Sequence, residues 1–373
     1  MNHPQSPPID AQAILAALRA QVVAAAERGT PLEIRGGGTK AWYGQAPAGE
    51  RLDMRAYRGI VAYDPAELVI TARAGTPLAE IEAALALCGQ LLPFEPPHYG
   101  PGATLGGCIA AGLAGPRRPH VGAPRDFVLG AVIMNGRGQV LHFGGQVMKN
   151  VAGYDVSRVL AGALGTLGVI LELSIKVLPR PVAEATLSFT MPQSEALERL
   201  NRWGGQPLPL SGSCWHAGEL RVRLAGAGAA VDAARAAMGG IDVDARAAVA
   251  FWTSLREQTH PFFARSPVSA PGAALWRLSV PQTAAPLPHA QEQLIEWGGA
   301  QRWWIPTAEN GPSAGEIREI AAAAGGHATL FRHGDKAAGV FTPLPEAQHA
   351  IGERLQQAFD PSRIFNRHRL YAA

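Results

Sequence analysis

Cysteine is scarce in this chain: Cys88, Cys108 and Cys214 are the three among 373 residues, far apart and without a Cys-x-x-Cys pair. Neither a closed zinc site nor a four-thiolate iron–sulfur cluster is therefore ligated by this chain alone, and an odd, sparse count suits a reducing cytoplasm. Long apolar runs are missing too. None approaches the roughly 20 residues of a spanning helix. The opening MNHPQSPPID is polar and proline-rich, with no apolar stretch behind a basic end to mark a secretory signal. The reading is a cytoplasmic protein that meets the inner membrane only peripherally, through partners. Charge of one sign is concentrated nowhere: 33 basic and 30 acidic residues leave a formal net charge of +3. Without a Lys/Arg block, nucleic acid is excluded as a partner.

Glycine and proline are plentiful, at 43 and 30 residues. They follow no collagen-like period, so much of the backbone lies in tight or ligand-hugging loops. The length predicts two domains. A helix runs from Asp10 as N-cap to Gly29 as the residue after its end. Strands 32–35, 60–63 and 68–73, a helix 76–87, a hairpin 127–134/139–143 across Asn135-Gly136 and a strand 169–178 complete an α+β domain over 1–180. Pro179 and Pro181 mark its boundary. Beyond it come strand 186–190, helix 194–203, strands 210–215 and 219–224, and helix 229–238. A similar set follows at 275–280, 289–297, 303–305, 314–324 and 329–332. Two such halves predict a ferredoxin-like α+β cap around an antiparallel sheet over 181–344. A last helix, 345–359, opens a tail, 345–373, that returns to the first domain.

The run Arg35-Gly36-Gly37-Gly38-Thr39-Lys40 follows a strand directly. Glycine is most useful where the backbone takes φ > 0 or approaches another molecule closely. Successive amide N–H groups in such a loop form an anion nest suited to a diphosphate. One glycine run is explained as well by a plain turn. A second, Pro101-Gly102-Ala103-Thr104-Leu105-Gly106-Gly107-Cys108, enters a short buried helix whose N-terminus offers donors to phosphate or ribityl oxygens. Tight packing of small residues is the alternative there. Gly122-Ala123-Pro124-Arg125-Asp126 and the stretch from Gly162 to Gly168-Val169-Ile170 add two more glycine-marked turns. Four such turns before residue 171 need a common explanation.

Together these segments resemble the FAD-binding domain of the vanillyl-alcohol oxidase or PCMH-type family, in which two α+β subdomains clasp FAD. The resemblance implies an FAD-dependent oxidoreductase. It places Gly36, Gly37, Gly38 and Thr39, flanked by Arg35 and Lys40, against the diphosphate, with Gly102, Thr104, Leu105, Gly106 and Gly107 opposite. Gly122, Asp126, Gly168, Val169 and Ile170 then contact flavin or adenine. Some members attach FAD through a His in the first loop; Thr39 stands there instead, which implies non-covalent FAD. Cys108 reads as a small buried thiol.

Within the family, Gly115-Pro116-Arg117-Arg118, the stretch from Gly144 to Asp155 and the tail from Phe359 to Asn366 resemble the E subunits of glycolate oxidases. The tail departs from them at Arg367-His368, where Pro-Gly is usual. This resemblance implies oxidation of glycolate or a similar 2-hydroxy acid to the 2-oxo acid. It also implies a hetero-oligomer with a second flavoprotein subunit and an iron–sulfur subunit. Two alternatives stand beside it: a self-sufficient D-lactate-type dehydrogenase, and a flavin-binding scaffold without its own turnover.

Gly226-Ala227-Gly228 after a strand imitates a dinucleotide turn, but Val231 at the third glycine position blocks close helix–strand packing. Phe251, Trp252, Phe262, Phe263, Trp303 and Trp304 read as core or subunit interface, with Trp252, Trp303 and Trp304 the interface candidates. Oxidising a 2-hydroxy acid needs a base for the hydroxyl proton, a cation for the carboxylate and an acceptor for hydride. Arg332-His333-Gly334-Asp335 is the compact basic group of the cap, and Arg332 and His333 are the catalytic candidates. It looks like a degenerate form of a metal-binding segment in related dehydrogenases. Lys336-Ala337-Ala338 follows where a second His is needed, so no metal is expected. His98, His120 and His260 lie on loops without a visible partner.

Overall fold

Asp10 accepts from the amides of Gln12 and Ala13 to start the first helix, Ala11–Arg28, and Gly29 ends it at φ +64°, where only glycine is unstrained. This computed structural model describes residues 10–145, 155–288, 292–306 and 311–371; most of the 144–155 motif lies outside them. Leu32–Arg35 runs parallel to Glu50–Asp53, a strand that the sequence pattern did not reveal. Parallel neighbours need a crossover connection, and residues 36–49 supply it. The glycine run therefore leaves the strand as an open loop rather than a hairpin.

A five-stranded antiparallel sheet lies beside this pair, in the order Ile60–Asp64, Val69–Arg73, Val169–Lys176, Val128–Met134, Val140–Gly144. The ladder slips between Val132 and Ile133, which pair with Glu172 and Ile170, so Leu171 is an extra residue that reverses the side-chain alternation. Val169 and Leu171 consequently pack with Leu18 and Val22 of the first helix. Leu173 and Ile175 face Leu78, Ile81 and Leu85 of helix Leu78–Leu87 and Ile109 of helix Leu105–Ala111.

The chain then enters one eight-stranded antiparallel sheet to which both halves contribute strands. Its order is Ile241–Asp242, Ala183–Thr190, Glu219–Gly226, Leu210–His216, Gln293–Glu296, Gln301–Trp304, Leu275–Ser279, His327–Arg332. The stretch 289–297, placed by analogy with helix 194–203, contains a buried strand instead, Gln293–Glu296. It pairs on both sides and joins the halves, so tertiary pairing overrides the local analogy. Glu219–Gly226 is antiparallel to both neighbours, which removes the dinucleotide reading of the turn after it.

One face of the cap sheet carries Trp215, Leu220 and Ile295 against helices Gln193–Gly204 and Gly228–Met238. The other presents Cys214, Leu294, Trp303 and Phe331 to Tyr43 and Leu164 of the first sheet's loops and to Ala111 at the end of helix Leu105–Ala111. The tryptophans expected at a subunit interface are interior: Trp252, Trp303 and Trp304 are 3–5% exposed. Their indoles have internal work, Trp252 donating to Thr186 and Trp303 to Glu296. Among the described residues no helix is long and apolar enough to cross a membrane.

Glu95, in the loop before the second glycine turn, ties the two sheets together. It accepts from Arg223 of the cap at 2.9 Å and from the backbone amide of Arg117 at 2.9 Å, while Arg117 reaches Glu184 at 2.6 Å. Burial alone would raise the Glu95 carboxyl, but Arg223 and Arg117 overcome it and hold it below its ordinary value. A depressed native pKa contributes stability that is present above the unfolded value of about 4.3 and lost as pH falls through the native one. Glu95→Gln should cost about 3 kcal/mol at pH 7, because it leaves Arg223 buried without its counter-charge. Urea unfolding should show the gap between the two proteins narrowing below about pH 4; a gap independent of pH would refute the ionic account.

Candidate functional site

The crossover loop forms one wall of a cleft lined by residues 33–41, Met54, Ala74, Thr104, Gly106, Gly107, Leu164, Gly168, Ile170, Asn366 and Arg369, among others. Among the described residues, the five successive amides from Gly36 to Lys40 donate to no protein acceptor, whereas Ala41 and Tyr43 just beyond them are paired. A run of free N–H groups on a cleft wall is an anion nest. The rest of the lining is largely apolar, through Ile34, Ala74, Ala110, Ala111 and Ile170, and suits a flat ring system. The arrangement fits FAD, with its diphosphate on the nest.

The glycines of the first loop answer mainly to the protein. A Cβ on Gly37 would sit 1.5 Å from the carbonyl oxygen of Gly102, and one on Gly36 would sit 2.2 Å from the Thr104 hydroxyl. The two glycine turns thus approach within backbone contact. Gly37 does not have positive φ; Gly38 does, at +72°. The second turn supplies shape rather than donors. The amides of Leu105, Gly106 and Gly107 are already bonded to Thr76, Ala74 and the Thr104 hydroxyl.

Of the residues singled out by sequence, Arg35 to Lys40, Thr104, Gly106, Gly107, Gly168 and Ile170 meet at the cleft. Gly102 stands just behind Gly37. Leu105 and Val169 are buried in the flanking cores. Gly122 and Asp126 lie apart from the lining. The Asp126 carboxylate accepts from the Ala123 amide at 2.7 Å, which makes this turn a local cap.

Sequence reasoning missed the acid Glu33, bridged to Arg35 at 3.2 Å, and the tail contacts. Asn366 accepts from the Ile34 amide at 2.8 Å and donates to the Leu164 carbonyl at 2.6 Å. Arg369 donates to the carbonyls of Ala41, Tyr43 and Gln45. The Asn and Arg of a tail expected to return were the available signal.

Residues 14–144 match the FAD binding domain family. The glycolate oxidase subunit GlcE of Escherichia coli K12 is 51% identical over 356 residues, which span 95% of this chain and 97% of that one. The chain belongs to this subunit's family. Other members of the wider group align over less. Glycolate oxidase subunit GlcD of Bacillus subtilis is 31% identical across 43% of this chain and 34% of its own. A D-lactate dehydrogenase of Archaeoglobus fulgidus is 32% identical across 45% and 38%. In fold, an alkyldihydroxyacetonephosphate synthase superposes with a TM-score of 0.65 at 15% identity, over 94% of this chain and 74% of that one. FAD is the cofactor of the chain, and its chemistry is that of an FAD-dependent oxidoreductase.

The catalytic candidates stand outside the cleft lining. The His333 ring Nε2 is 2.9 Å from the Pro267 carbonyl oxygen, which accounts for it structurally. Arg332 is fully buried, donates to Ser266 and stacks 4.9 Å from the centre of the Trp42 ring. His98 Nε2 lies 3.2 Å from a Glu82 carboxylate oxygen without a hydrogen bond between them. His260 accepts from the Phe262 amide, and burial, reinforced by His216 and Arg221, lowers it to about 4. His120 is lowered by burial, and its backbone amide donates to the Arg117 carbonyl at 3.0 Å. No group of three or more His, Cys, Asp or Glu among the described residues is placed to hold a metal.

Gly37→Val should weaken FAD retention about tenfold or more, equivalent to at least ~1.4 kcal/mol of distortion, because the Gly102 carbonyl must retreat. Gly228→Val is the control, since a Cβ there meets nothing within 4 Å. The visible absorbance of flavin that stays with each protein through gel filtration measures the difference. Equal retention would show that this loop contact does not shape the cofactor site.

Proposed function

We propose that this chain is the FAD-binding subunit of a complex that oxidises glycolate or a similar 2-hydroxy acid to the 2-oxo acid and passes the electrons to an iron–sulfur partner beside a second flavoprotein. The observation that carries the reading is the row of five unpaired amides on the wall of the cleft. It stands in a chain aligned almost end to end with a glycolate oxidase subunit. When bound, FAD supplies a two-electron acceptor for the hydrogen on the hydroxyl-bearing carbon. The protein's part is to hold it. The nest binds the diphosphate, and the apolar lining keeps water from the ring system. Lys40 adds charge at the end of the nest.

The FAD is held without a covalent bond. Thr39 offers no imidazole, and burial pushes the Cys108 thiol up to about 12, where it stays protonated and unreactive. Three cysteines cannot ligate a four-thiolate cluster, so the electrons need another protein. With the cap tryptophans interior, the exposed Val182, Ile241 and Val249, at 90%, 74% and 66%, are the candidate apolar contacts for it.

Acid precipitation should release intact FAD into the supernatant; flavin that pellets with the polypeptide refutes non-covalent binding. The purified chain alone should show little glycolate turnover with an artificial acceptor, and activity should appear when the two partner subunits are added. Full glycolate dehydrogenase activity from a verified monomer would overturn the complex and favour a self-sufficient enzyme.

A further inference from the structure

Between the crossover loop and the inner face of the cap sheet lies a concentration of positive charge that the fold does not neutralise. Arg332 is 0% exposed, yet its Nε and Nη2 have no hydrogen-bond partner. Arg277, from the neighbouring strand, gives one Nη to the Tyr43 hydroxyl at 3.1 Å and leaves its buried Nε without a partner. Both guanidinium groups lie within 6 Å of the Phe331 ring centre, at 5.9 and 5.3 Å. Lys40, at the end of the nest, is 5.5 Å from the centre of the Tyr99 ring.

The acids nearby do not balance these three cations. Glu257 is occupied by Arg256 and by the amides of His98 and Tyr99. Glu296 is pushed up to about 7 by burial and accepts from Trp303 and Gln301. Buried donors left unsatisfied are expensive, more so on a charged group, and a fold retains them where a ligand completes them. Lys40, Trp42 and Tyr99 are half-buried, and Lys40 also lines the cofactor cleft, which sets the cluster next to it.

We infer that Arg332 and Arg277 form the carboxylate-binding site of this subunit, seating a small 2-hydroxy acid beside Lys40 and Tyr99 at the end of the cofactor cleft. The inference rests on the proposed function for the identity of the acid, but the site itself is defined by the unpartnered guanidinium nitrogens. A planar carboxylate matches the Nε/Nη2 edge of Arg332 in a two-point contact. Lysine cannot reproduce that contact, so Arg332→Lys should keep the charge and lose most of the geometry.

Binding tests this without turnover. Calorimetric titration of the FAD-loaded full chain uses oxalate, which has no hydrogen to give up, and glycolamide, the uncharged counterpart of glycolate. Oxalate should bind and glycolamide should bind much more weakly. Arg332→Met should weaken oxalate by about 10- to 100-fold, as expected for loss of a charge-assisted hydrogen bond. Arg332→Lys should fall between, and FAD content should be unchanged. Should Arg332→Met fail to fold, Arg277→Met carries the same expectation from a less buried position. Equal oxalate affinity in a folded variant and the wild type, or no oxalate binding by the wild type, overturns the site. A complex that does not oxidise glycolate while oxalate still binds through Arg332 would instead remove the proposed substrate and leave the site standing.

Discussion

Two glycine turns from distant parts of the sequence meet with no side chain between them, and the carbonyl of Gly102 occupies the space where Gly37 would carry a Cβ. From that contact the geometry of the cleft follows. Pressed against the second turn, the first loop cannot fold back to pair its own amides. Five of them consequently stay available to an anion. The second turn can come this close because its own amides are satisfied from behind, by Ala74, Thr76 and the Thr104 hydroxyl. One loop is spent on shape and the other on hydrogen bonding.

The cap sheet extends this arrangement by dividing its residues strictly by side. Alternate positions along Leu210–His216, Gln293–Glu296 and Gln301–Trp304 go either to the cap's own helices or to the face over the first sheet. Trp42, Tyr43 and Phe331 interlock there with ring centres 5.1 to 6.0 Å apart, the separations of tilted and edge-on aromatic packing. Glu95 secures a second point of attachment through Arg117 and Arg223. The seam is thus held by interlocked rings at one place and by buried ions at another.

Much of the fold was legible because local signals agreed with the final packing. Asp10 and Gly29 bracket the first helix, and Asn135-Gly136 marks its hairpin, through chemistry confined to a few residues. The strand Glu50–Asp53 carried no such signal. Its alternation is polar except for Leu52, and it exists because Leu32–Arg35 offers it a parallel edge. Gln293–Glu296 was obscured for a related reason, since four buried residues paired on both sides show no amphipathic period. At the cleft the glycine loop was legible, whereas Glu33, Asn366 and Arg369 were not, because ordinary polar residues take their places only when distant segments meet. Gly122 and Asp126 lie apart from the cleft, in a turn that Asp126 caps: a glycine followed by an acid four residues later is also the composition of a capped turn.

The bond between Ile34 and Asn366 spans 332 positions of sequence. Arg369 closes over the backbone of residues 41–45 from a similar distance. During synthesis the nest emerges early, yet the wall that completes its cleft arrives only after the whole cap has left the ribosome. Contacts this far apart form late because loop closure must precede them. The early chain therefore presents the nest with one side open, and the cleft closes only when Asn366 and Arg369 reach it.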